Sequence, residues 1–240
     1  MFFSDKIASI TDDCRVLEVG PGGSPHPRAD ILLDKVFKEE KETIAQRGYA
    51  PESKTNKKIV YYDGGAFPFT DKEFDYVICT HVLEHVPLDD LPIFIAELQR
   101  VAKAGFIEFP TIFYELINHQ NVHLWYMNYR DDTVLFLDKK VFESNYVHKI
   151  MREMFYGSDK YMAKTFNRYR DLFFSHFEWS GSFNYKIVGN YDELANEEDY
   201  NKYKNYFADF RKGKHLNFSL KVLSKRVLSK LITKFRNIAK

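Results

Sequence analysis

The residues His81, Glu84 and His85 form the pattern His-x-x-Glu-His, which one class of zinc hydrolases uses to bind its metal. That chemistry needs both histidines on one helix, four residues apart, and a third ligand from another helix. Here His81 directly follows an apolar run, and Pro87 interrupts the segment that holds Glu84 and His85. The sequence therefore predicts neither a zinc hydrolase nor a metal site at these residues.

A second histidine pair, His119 and His123, has the same four-residue spacing. Trp125 and Tyr126 follow this pair, and we identify no thiol or acid pair to accompany it, so no metal is predicted there. The two histidines are candidates for lining a substrate pocket. Ordinary surface or core packing is the alternative.

Apolar runs predict the elements that position these side chains. Runs at 14–20, 29–34, 57–63, 74–80 and 104–110 are each short and nearly continuous, which is typical of strands buried on both faces. Between the fourth and fifth, positions 91, 94, 95, 98 and 101 recur at helical spacing, and 36–48 forms a plausible polar helix that ends at Gly48. The pattern predicts an α/β fold with a Rossmann-like, doubly wound and mostly parallel sheet.

The first crossover of this sheet is predicted to be unusually short. Only the nine residues PGGSPHPRA separate the first two strands, whereas parallel crossovers need about 10–12 residues or more and usually contain a helix. Pro25 and Pro27 further disfavour a helix. We therefore expect a compact turn.

Beyond residue 110 the pattern changes to an aromatic-rich elaboration. We predict a strand at 133–140, irregular helices over 142–175, a hairpin over 177–189 that turns at Ser180 and Gly181, and a polar helix over 190–207. The expected domain spans residues 1–210, with a ligand-binding core at about 13–112 and an acceptor-side elaboration at about 113–210. The aromatic-rich part is expected to cover the mouth of the pocket.

Composition places the chain among globular proteins, with 45% hydrophobic, 29% charged and 17% aromatic residues. No apolar run reaches the roughly 18 residues of a membrane span, and the first residues lack the basic region of a signal peptide. Cys14 and Cys79 lie beside predicted strands, where thiols are more often inert than bridged. We expect a cytoplasmic protein.

The C-terminal segment 211–240 has a different charge from the rest of the chain. It contains ten Lys or Arg residues and no acid, although the whole chain has a net charge of only +1. Six apolar side chains fall on one helical stripe: Leu220, Leu223, Val227, Leu231, Phe235 and Ile238. This basic amphipathic helix suits an anionic membrane surface, the acidic remainder of the chain or a second subunit, whereas nucleic acid is disfavoured.

Glycines after the first predicted strand indicate a ligand site. Gly20, Pro21 and Gly22 form a Gly-x-Gly turn, but a dinucleotide fingerprint would require a third glycine where Pro25 stands. Phosphate binding would also require a helix N-terminus after the turn. The turn therefore favours a nucleoside ligand without phosphate, and a glycine turn without any ligand is the alternative.

Two carboxylates are expected at neighbouring strand ends. Asp34 ends the second predicted strand, where it could accept both hydroxyls of a ribose, and Asp63 ends the third, before Gly64. Either acid alone could be a helix cap. Their occurrence with the glycine turn at three successive strand ends favours a ligand site.

Four segments together resemble class I S-adenosylmethionine-dependent methyltransferases of the small-molecule, methyltransferase-11-like type. These are VLEVGPGG, ILLD, YYDGGAFPFTDKEFDYVICTHVLEHV and AGFIEFP, within residues 13–112. The resemblance implies S-adenosyl-L-methionine as the cofactor. It also implies cofactor contacts from nine residues: Glu18 near the methionine amino group, Gly20, Pro21 and Gly22 along methionine and ribose, Asp34 at the ribose hydroxyls, Asp63 and Gly64 at adenine, and Thr80 and His81 beside the sulfonium.

Three further features, the compact first turn followed by HPRAD and the segments FIEFPTIFYE and HLWY, resemble methyltransferases of bacterial surface-glycan or specialised-metabolite pathways. This second resemblance implies O-methylation of a sugar, a surface glycan or a related small molecule. His81 is then the candidate catalytic base, because imidazole titrates near neutral pH, and the alternative is that it only makes a structural hydrogen bond. His119 and His123 are the candidate acceptor-binding residues. A lipid, quinone or protein acceptor and a non-catalytic cofactor-binding partner subunit are the alternatives.

Overall fold

The computed structural model describes residues 1–37, 55–118, 120–142 and 166–199, together with positions 44, 46 and 201. Within these residues the strands are β1 (Val16–Val19), β2 (Ile31–Lys35), β3 (Lys58–Tyr62), β4 (Phe74–Thr80), β5 (Ala102–Pro110), β6 (Trp125–Arg130), β7 (Thr133–Asp138), β8 (Phe174–Ser180) and β9 (Asn184–Ile187). The α-helices are α1 (Leu91–Val101), α2 (Ile112–Asn118), α3 (Arg170–Phe173) and α4 (Tyr191–Leu194). Short 3₁₀ turns occupy Ser4–Lys6, Leu83–His85 and Lys139–Phe142.

The main sheet has the strand order β3-β2-β1-β4-β5-β8. The first five strands are parallel, and β8 adds antiparallel to β5 at the edge. The order reverses between β1 and β4, which is the point where ligands bind in open parallel sheets. This architecture confirms the predicted Rossmann-like α/β fold, and each of the five predicted core strands is present.

The connection between β1 and β2 confirms the predicted short crossover. Residues 20–30 form turns and bends without a helix. The two strands nevertheless pair in parallel, with Leu17 opposite Ile31. The backbone N–H of Gly20 donates to the carbonyl of Leu33 at 2.8 Å, so the turn is attached directly to the neighbouring strand.

Helix α1 covers the sheet as its spacing predicts. Its buried apolar positions are Leu91, Phe94, Ile95, Leu98 and Val101, which are the five that the sequence pattern places on one face. A proline near its first turn is compatible with the helix start, where backbone donors have no partner in the helix. The helix fixes the chain that leaves β4.

A second, three-stranded sheet has the order β6-β7-β9. Strands β6 and β7 form a hairpin that turns at Asp131 and Asp132, whose φ angles of 49° and 53° belong to a type I′ turn. Strand β9 pairs with β7 in parallel. The prediction of a strand at 133–140 is therefore confirmed, and β6 is an element that the sequence pattern did not identify.

The predicted hairpin over 177–189 is wrong. The chain does turn at Gly181, but β8 pairs with β5 in the main sheet and β9 pairs with β7 in the second sheet. Strand β8 fits beside β5 because Gly105 lies opposite Trp179, and a Cβ at Gly105 would come within 2.9 Å of the indole. Local alternation of side chains does not reveal such a distant partner.

Several predictions fall outside the described residues. These are most of the helix over 36–48, residues 143–165 of the irregular segment, and nearly all of the chain beyond residue 199. By contacts the chain divides into two units, Met1–Leu194 and Ala195–Lys240. The domain boundary near residue 210 and the basic helix over 211–240 stay predictions. In the part of the chain that is described, no helix has the length and apolar character needed to cross a membrane.

Candidate cofactor cleft

A cleft of about 990 Å³ opens at the carboxyl ends of β1, β2, β3 and β4. Its wall includes all nine residues predicted to contact the cofactor: Glu18, Gly20, Pro21, Gly22, Asp34, Asp63, Gly64, Thr80 and His81. Parallel strands bring these residues together because their carboxyl ends share one edge of the sheet. The structure thus places the predicted residues in one cavity.

Gly20 is fixed by its conformation and by its neighbour. Its φ of +65° is a region that side chains with a Cβ rarely adopt. A Cβ there would also overlap Cγ2 of Val82, in the loop after β4. The glycine turn and the post-β4 loop are therefore in direct contact, and together they form the floor of the cleft.

The side chain of Glu18 is hydrogen-bonded to the crossover between β1 and β2. Its side chain is almost fully buried, and Oε2 accepts a hydrogen bond from the backbone N–H of His26 at 2.7 Å. Burial raises the pKa of this carboxyl to about 7, although the bond from His26 and the nearby Lys57 oppose the rise. Glu18 is thus a buried carboxylate at the edge of the cleft that a cation would stabilise.

Lys57 is a structural residue of this site that the sequence analysis missed. Its Nζ donates to the carbonyls of His26, Pro27 and Ala29, with distances of 3.1 and 2.6 Å to the first two. A crossover without a helix leaves such carbonyls without intrahelical partners, and one ammonium satisfies three of them. A lysine immediately before an apolar strand carries no sequence signal for this role.

The two aspartates differ in exposure. Asp34 is half-buried at the end of β2, and its Oδ1 accepts from the backbone N–H of Lys35 at 2.9 Å. Asp63 follows β3 and is exposed beside Gly64. Both line the cleft, so two carboxylates border the same cavity as the glycine turn.

The donor and acceptor set fits S-adenosylmethionine better than a phosphate-bearing nucleotide. The turn after β1 leads into the crossover and not into a helix, so the helix N-terminus that binds phosphate in dinucleotide sites is missing from residues 20–30. The buried acid Glu18 suits an ammonium group, and the strand-end acid Asp34 suits a ribose diol. The residues present therefore fit this cofactor.

His81 is held by two buried glutamates. Its Nε2 lies 2.8 Å from Oε1 of Glu108, and its Nδ1 lies 3.4 Å from Oε1 of Glu84. Its backbone N–H also donates to the carbonyl of Glu108 at 2.9 Å, and its φ is +57°. Both ring nitrogens thus face carboxylates.

These contacts determine the protonation of His81. Burial favours the neutral ring, but the hydrogen bond with Glu108 and the ion pair with Glu84 outweigh it and raise the pKa to about 9. A cation with both nitrogens engaged has no lone pair for a substrate proton. The role of His81 as a base stays a prediction, and this geometry disfavours it.

A second group of side chains lies next to His81. Nδ1 of His85 lies 3.2 Å from the carbonyl of Val122, and Nδ1 of His123 is hydrogen-bonded to Glu115. Burial lowers the pKa of His85, so this ring is neutral at neutral pH. The two imidazole rings pack edge to face, with centroids 4.5 Å apart.

One acid, Glu115, accompanies His123 in this group, whereas the sequence analysis identified no thiol or acid pair beside the two histidines. Glu115 is fully buried and also accepts from Nζ of Lys139 at 2.7 Å. His85 lines the cleft, whereas His123 lies behind it, and His119 falls outside the described residues. Binding of an acceptor by His119 and His123 stays a prediction.

Sequence reasoning did not select Glu108, Glu115 or Lys139. Each is less than one-tenth exposed, and a buried charged residue needs a partner. An available signal was Glu108 inside the apolar run AGFIEFP, where a charge predicts a buried cation nearby. Glu115 and Lys139 lie 24 residues apart, and their pairing depends on the fold.

Comparison with known proteins agrees with the resemblance in the sequence. A family model described as a methyltransferase domain matches residues 37–107. No curated protein matches the chain significantly.

Solved structures similar to the chain include three bacterial proteins. The YcgJ protein from Bacillus subtilis is 20% identical over 48% of this chain and 53% of its own, with a TM-score of 0.33. A putative methyltransferase from Bacillus halodurans is 20% identical over 51% and 61%, with a TM-score of 0.33. An S-adenosylmethionine-dependent methyltransferase from Mesorhizobium loti is 11% identical over 69% and 89%, with a TM-score of 0.35. The match thus spans about half the length of the first of these proteins.

The family match covers the region that contains β3, β4, α1 and most of β5. It includes Asp63, Thr80 and His81, and the glycine turn and Asp34 precede it in the same sheet. Residues 37–107 of the chain thus match a methyltransferase domain, and the strands among them belong to the Rossmann-like sheet.

Proposed function

We propose that the protein transfers a methyl group from S-adenosylmethionine to a hydroxyl of a small acceptor, of which a sugar or surface glycan is the favoured class. The observation that carries the proposal is the cleft itself, where the glycine turn, Glu18, Asp34 and Asp63 line one cavity. Such a cavity suits a cationic nucleoside without phosphate.

Each wall residue has a distinct task in this proposal. Glu18 would accept hydrogen bonds from the methionine ammonium, Asp34 would accept both ribose hydroxyls, and Asp63 would accept from the adenine amino group. When bound, the cofactor supplies a methyl group already activated on a sulfonium. The protein then has to align the acceptor and exclude water.

Two exposed apolar side chains would face the acceptor in this proposal. Ile93 and Leu124 line the cavity and are exposed, at 50% and 38% of their surface. Apolar side chains at a cleft mouth pack against the CH face of a sugar and also against flat rings. A lipid, quinone or protein acceptor therefore remains an outcome of the acceptor screen. The predicted basic helix 211–240 would suit a lipid-linked glycan, because it favours an anionic membrane surface.

The proposal is tested first by calorimetry with S-adenosylmethionine and S-adenosylhomocysteine. Asp34→Ala removes the proposed contacts with both ribose hydroxyls and should weaken the binding of both ligands by about tenfold or more, since even one charge-assisted hydrogen bond contributes about that much. Asp192→Ala is the matched control, because Asp192 is an exposed acid of α4 that does not line the cleft. The control should bind like the wild-type protein.

Binding that is absent, or that Asp34→Ala leaves unchanged, would contradict the proposed site. Binding followed by transfer of labelled methyl groups to sugar or glycan acceptors would support the whole proposal. Transfer only to lipids, quinones or proteins would overturn the acceptor class. Binding without transfer to any of these would favour the non-catalytic partner subunit.

A further inference from the structure

Glu84, His85 and His123 bring three ligand atoms of the kind that bind metals close together. One atom from each residue lies within 4.8 Å of the other two. Glu84 and His85 come from the 3₁₀ turn after β4, whereas His123 comes from the loop before β6. The arrangement differs from the His-x-x-Glu-His zinc motif, because His81 is not a member and the third residue lies far along the chain.

Each histidine has one ring nitrogen engaged by a protein group. Nδ1 of His85 faces the carbonyl of Val122, and Nδ1 of His123 bonds to Glu115. Each ring therefore has its Nδ1 engaged, which leaves Nε2 as the nitrogen available for a ligand. Metal-binding histidines typically donate their other N–H to a carbonyl or carboxylate in this way.

Glu84 supplies the independent observation. Its side chain is completely buried, and neither carboxylate oxygen has a hydrogen-bond partner among the described residues. The nearest cation is His81, whose Nδ1 lies 3.4 Å away without the alignment of a hydrogen bond, and His81 is shared with Glu108. A buried carboxylate that shares its one described cation with a second carboxylate gains from a further cation.

We propose that Glu84, His85 and His123 bind a divalent transition-metal ion, with Glu115 as the residue that positions His123. Two imidazole nitrogens and one carboxylate oxygen suit Zn²⁺ and similar ions, whereas Mg²⁺ prefers oxygen ligands and water. Three protein ligands also leave a coordination position open, as in catalytic zinc sites.

The site borders the cleft, because His85 lines that cavity. An acceptor hydroxyl that coordinates the ion would lose its proton more readily, which is a task that His81 is poorly placed to perform. This extension rests on the proposed function, whereas metal binding itself does not. Removal of the metal by a chelator should then abolish transfer and leave the affinity for S-adenosylmethionine unchanged.

Metal binding is tested on the full chain without cofactor or acceptor. Protein stripped with a chelator is titrated with Zn²⁺ by calorimetry, and with Co²⁺ by visible absorption, whose intensity reports the coordination geometry of the bound ion. We expect stoichiometric Zn²⁺ binding, a Co²⁺ spectrum that Zn²⁺ abolishes, and no comparable heat with Mg²⁺. Glu84→Gln and His123→Ala should each remove the Co²⁺ spectrum.

Two further variants keep the result interpretable. Glu115→Gln retains all three ligands and should weaken Zn²⁺ by about 10- to 100-fold. His176→Gln changes a half-buried histidine outside the group and should bind Zn²⁺ normally. Far-ultraviolet circular dichroism and S-adenosylmethionine binding verify that each variant is folded.

Zn²⁺ binding that is absent from folded wild-type protein would overturn the inference. Equal binding by the Glu84→Gln and His123→Ala variants would overturn it as well, because the ion would then occupy other side chains. Failure of metal binding alongside intact cofactor binding would leave the proposed function standing. Loss of cofactor binding alone would contradict only the proposed function.

Discussion

Glu18 shows how one residue can be tuned by burial for a cationic ligand. Its carboxyl is nearly inaccessible, and its pKa is raised to about 7 because the charged form is poorly solvated there. A ligand ammonium would replace the lost solvation. The residue therefore couples cofactor binding to pH.

Affinity for S-adenosylmethionine should rise with pH through about 7. Below this pKa Glu18 is protonated in the free protein, and the proton must leave before the carboxylate can accept the ammonium. The dissociation constant should thus increase by up to about tenfold for each pH unit below 7. Calorimetry between pH 5.5 and 8 measures this slope, and the Glu18→Gln variant should show a weaker and pH-independent affinity.

The same residue should destabilise the ligand-free protein at high pH. A carboxyl whose pKa rises from 4.5 to about 7 on folding binds its proton more tightly in the folded state. The loss of folding stability that Glu18 causes is absent below about pH 4.5 and grows as the pH rises to about 7. Above pH 7 the loss is complete, on the order of 3 kcal/mol. Glu18→Gln should therefore raise the free energy of unfolding in urea at pH 8 and change it little at pH 4.5. An equal effect at both pH values would contradict this account.

Residues at strand ends were predictable, whereas their buried partners were not. Glu18, Asp34 and Asp63 each lie in or directly after a recognisable apolar run, so the parallel-sheet rule places them at one edge. The partners of His81 and His123 lie 27 and 8 residues away along the chain. Those pairings depend on how β5, α2 and the second sheet pack, and no spacing in the sequence encodes them.

At the scale of elements, the contact between the turn after β1 and the loop after β4 fixes the floor of the cleft. Gly20 makes this contact possible in two ways, through its positive φ and through the space it leaves for Val82. Gly22 has a φ of +55° but no atom near the position of a Cβ. Substitution of Gly22 therefore tests backbone strain alone, whereas substitution of Gly20 tests backbone strain together with steric overlap.

Gly20→Ala should destabilise the protein more than Gly22→Ala. The conformational part costs about 1–2 kcal/mol at either position, and overlap with Val82 adds about 1–3 kcal/mol at Gly20 alone. Adding Val82→Ala to the Gly20→Ala variant should restore the stability that is lost through overlap, but not the stability that is lost through the strained conformation. Urea unfolding of the single and double variants measures each contribution. Equal losses for Gly20→Ala and Gly22→Ala would show that the overlap relaxes without cost.

Lys57 should stabilise the helix-free crossover. Lys57→Met keeps the aliphatic chain but leaves the carbonyls of His26, Pro27 and Ala29 without this donor, and we expect a loss of about 1–3 kcal/mol. Hydrogen exchange of residues 20–30 should accelerate, and affinity for S-adenosylmethionine should fall. Lys58→Met changes an exposed neighbour and is the control. Similar stability, exchange and affinity of the two variants would contradict this role of Lys57.

The sequence predicted those elements whose burial pattern is local. Apolar spacing predicts helix α1 and the five parallel strands, and the two prolines predict the short crossover. The hairpin of β6 and β7 carried a signal in Asp131 and Asp132, since acidic residues tolerate the positive φ of a type I′ turn. The separate pairings of β8 and β9 carried none, because both flank the turn at Gly181 as hairpin strands would.

At the scale of the whole molecule, the second sheet is joined to the loop after β4. The backbone N–H of Leu124 donates to the carbonyl of Glu84 at 2.7 Å, and the indole of Trp125 donates to that of Val86 at 2.7 Å. A distant part of the chain thus completes the neighbourhood of His81 and His85. The second sheet and the loop that borders the cleft are thus connected by hydrogen bonds.

The charges around the cleft also bear on what happens after transfer. Among its described lining residues are four acids, Glu18, Asp34, Asp63 and Asp90, and one lysine, Lys35. His81 and the amino group of Met1 also line the cavity, but both lie beside the buried carboxylate of Glu108, which offsets their charge. S-adenosylmethionine carries one positive charge more than S-adenosylhomocysteine, so an acidic cavity attracts the substrate form more strongly than the spent form. Added salt should therefore weaken S-adenosylmethionine more than S-adenosylhomocysteine, which calorimetry at low and high ionic strength would detect; equal weakening would contradict this. In the proposed reaction, transfer of the methyl group removes this positive charge from the cofactor, so the cleft would favour exchange of S-adenosylhomocysteine for S-adenosylmethionine.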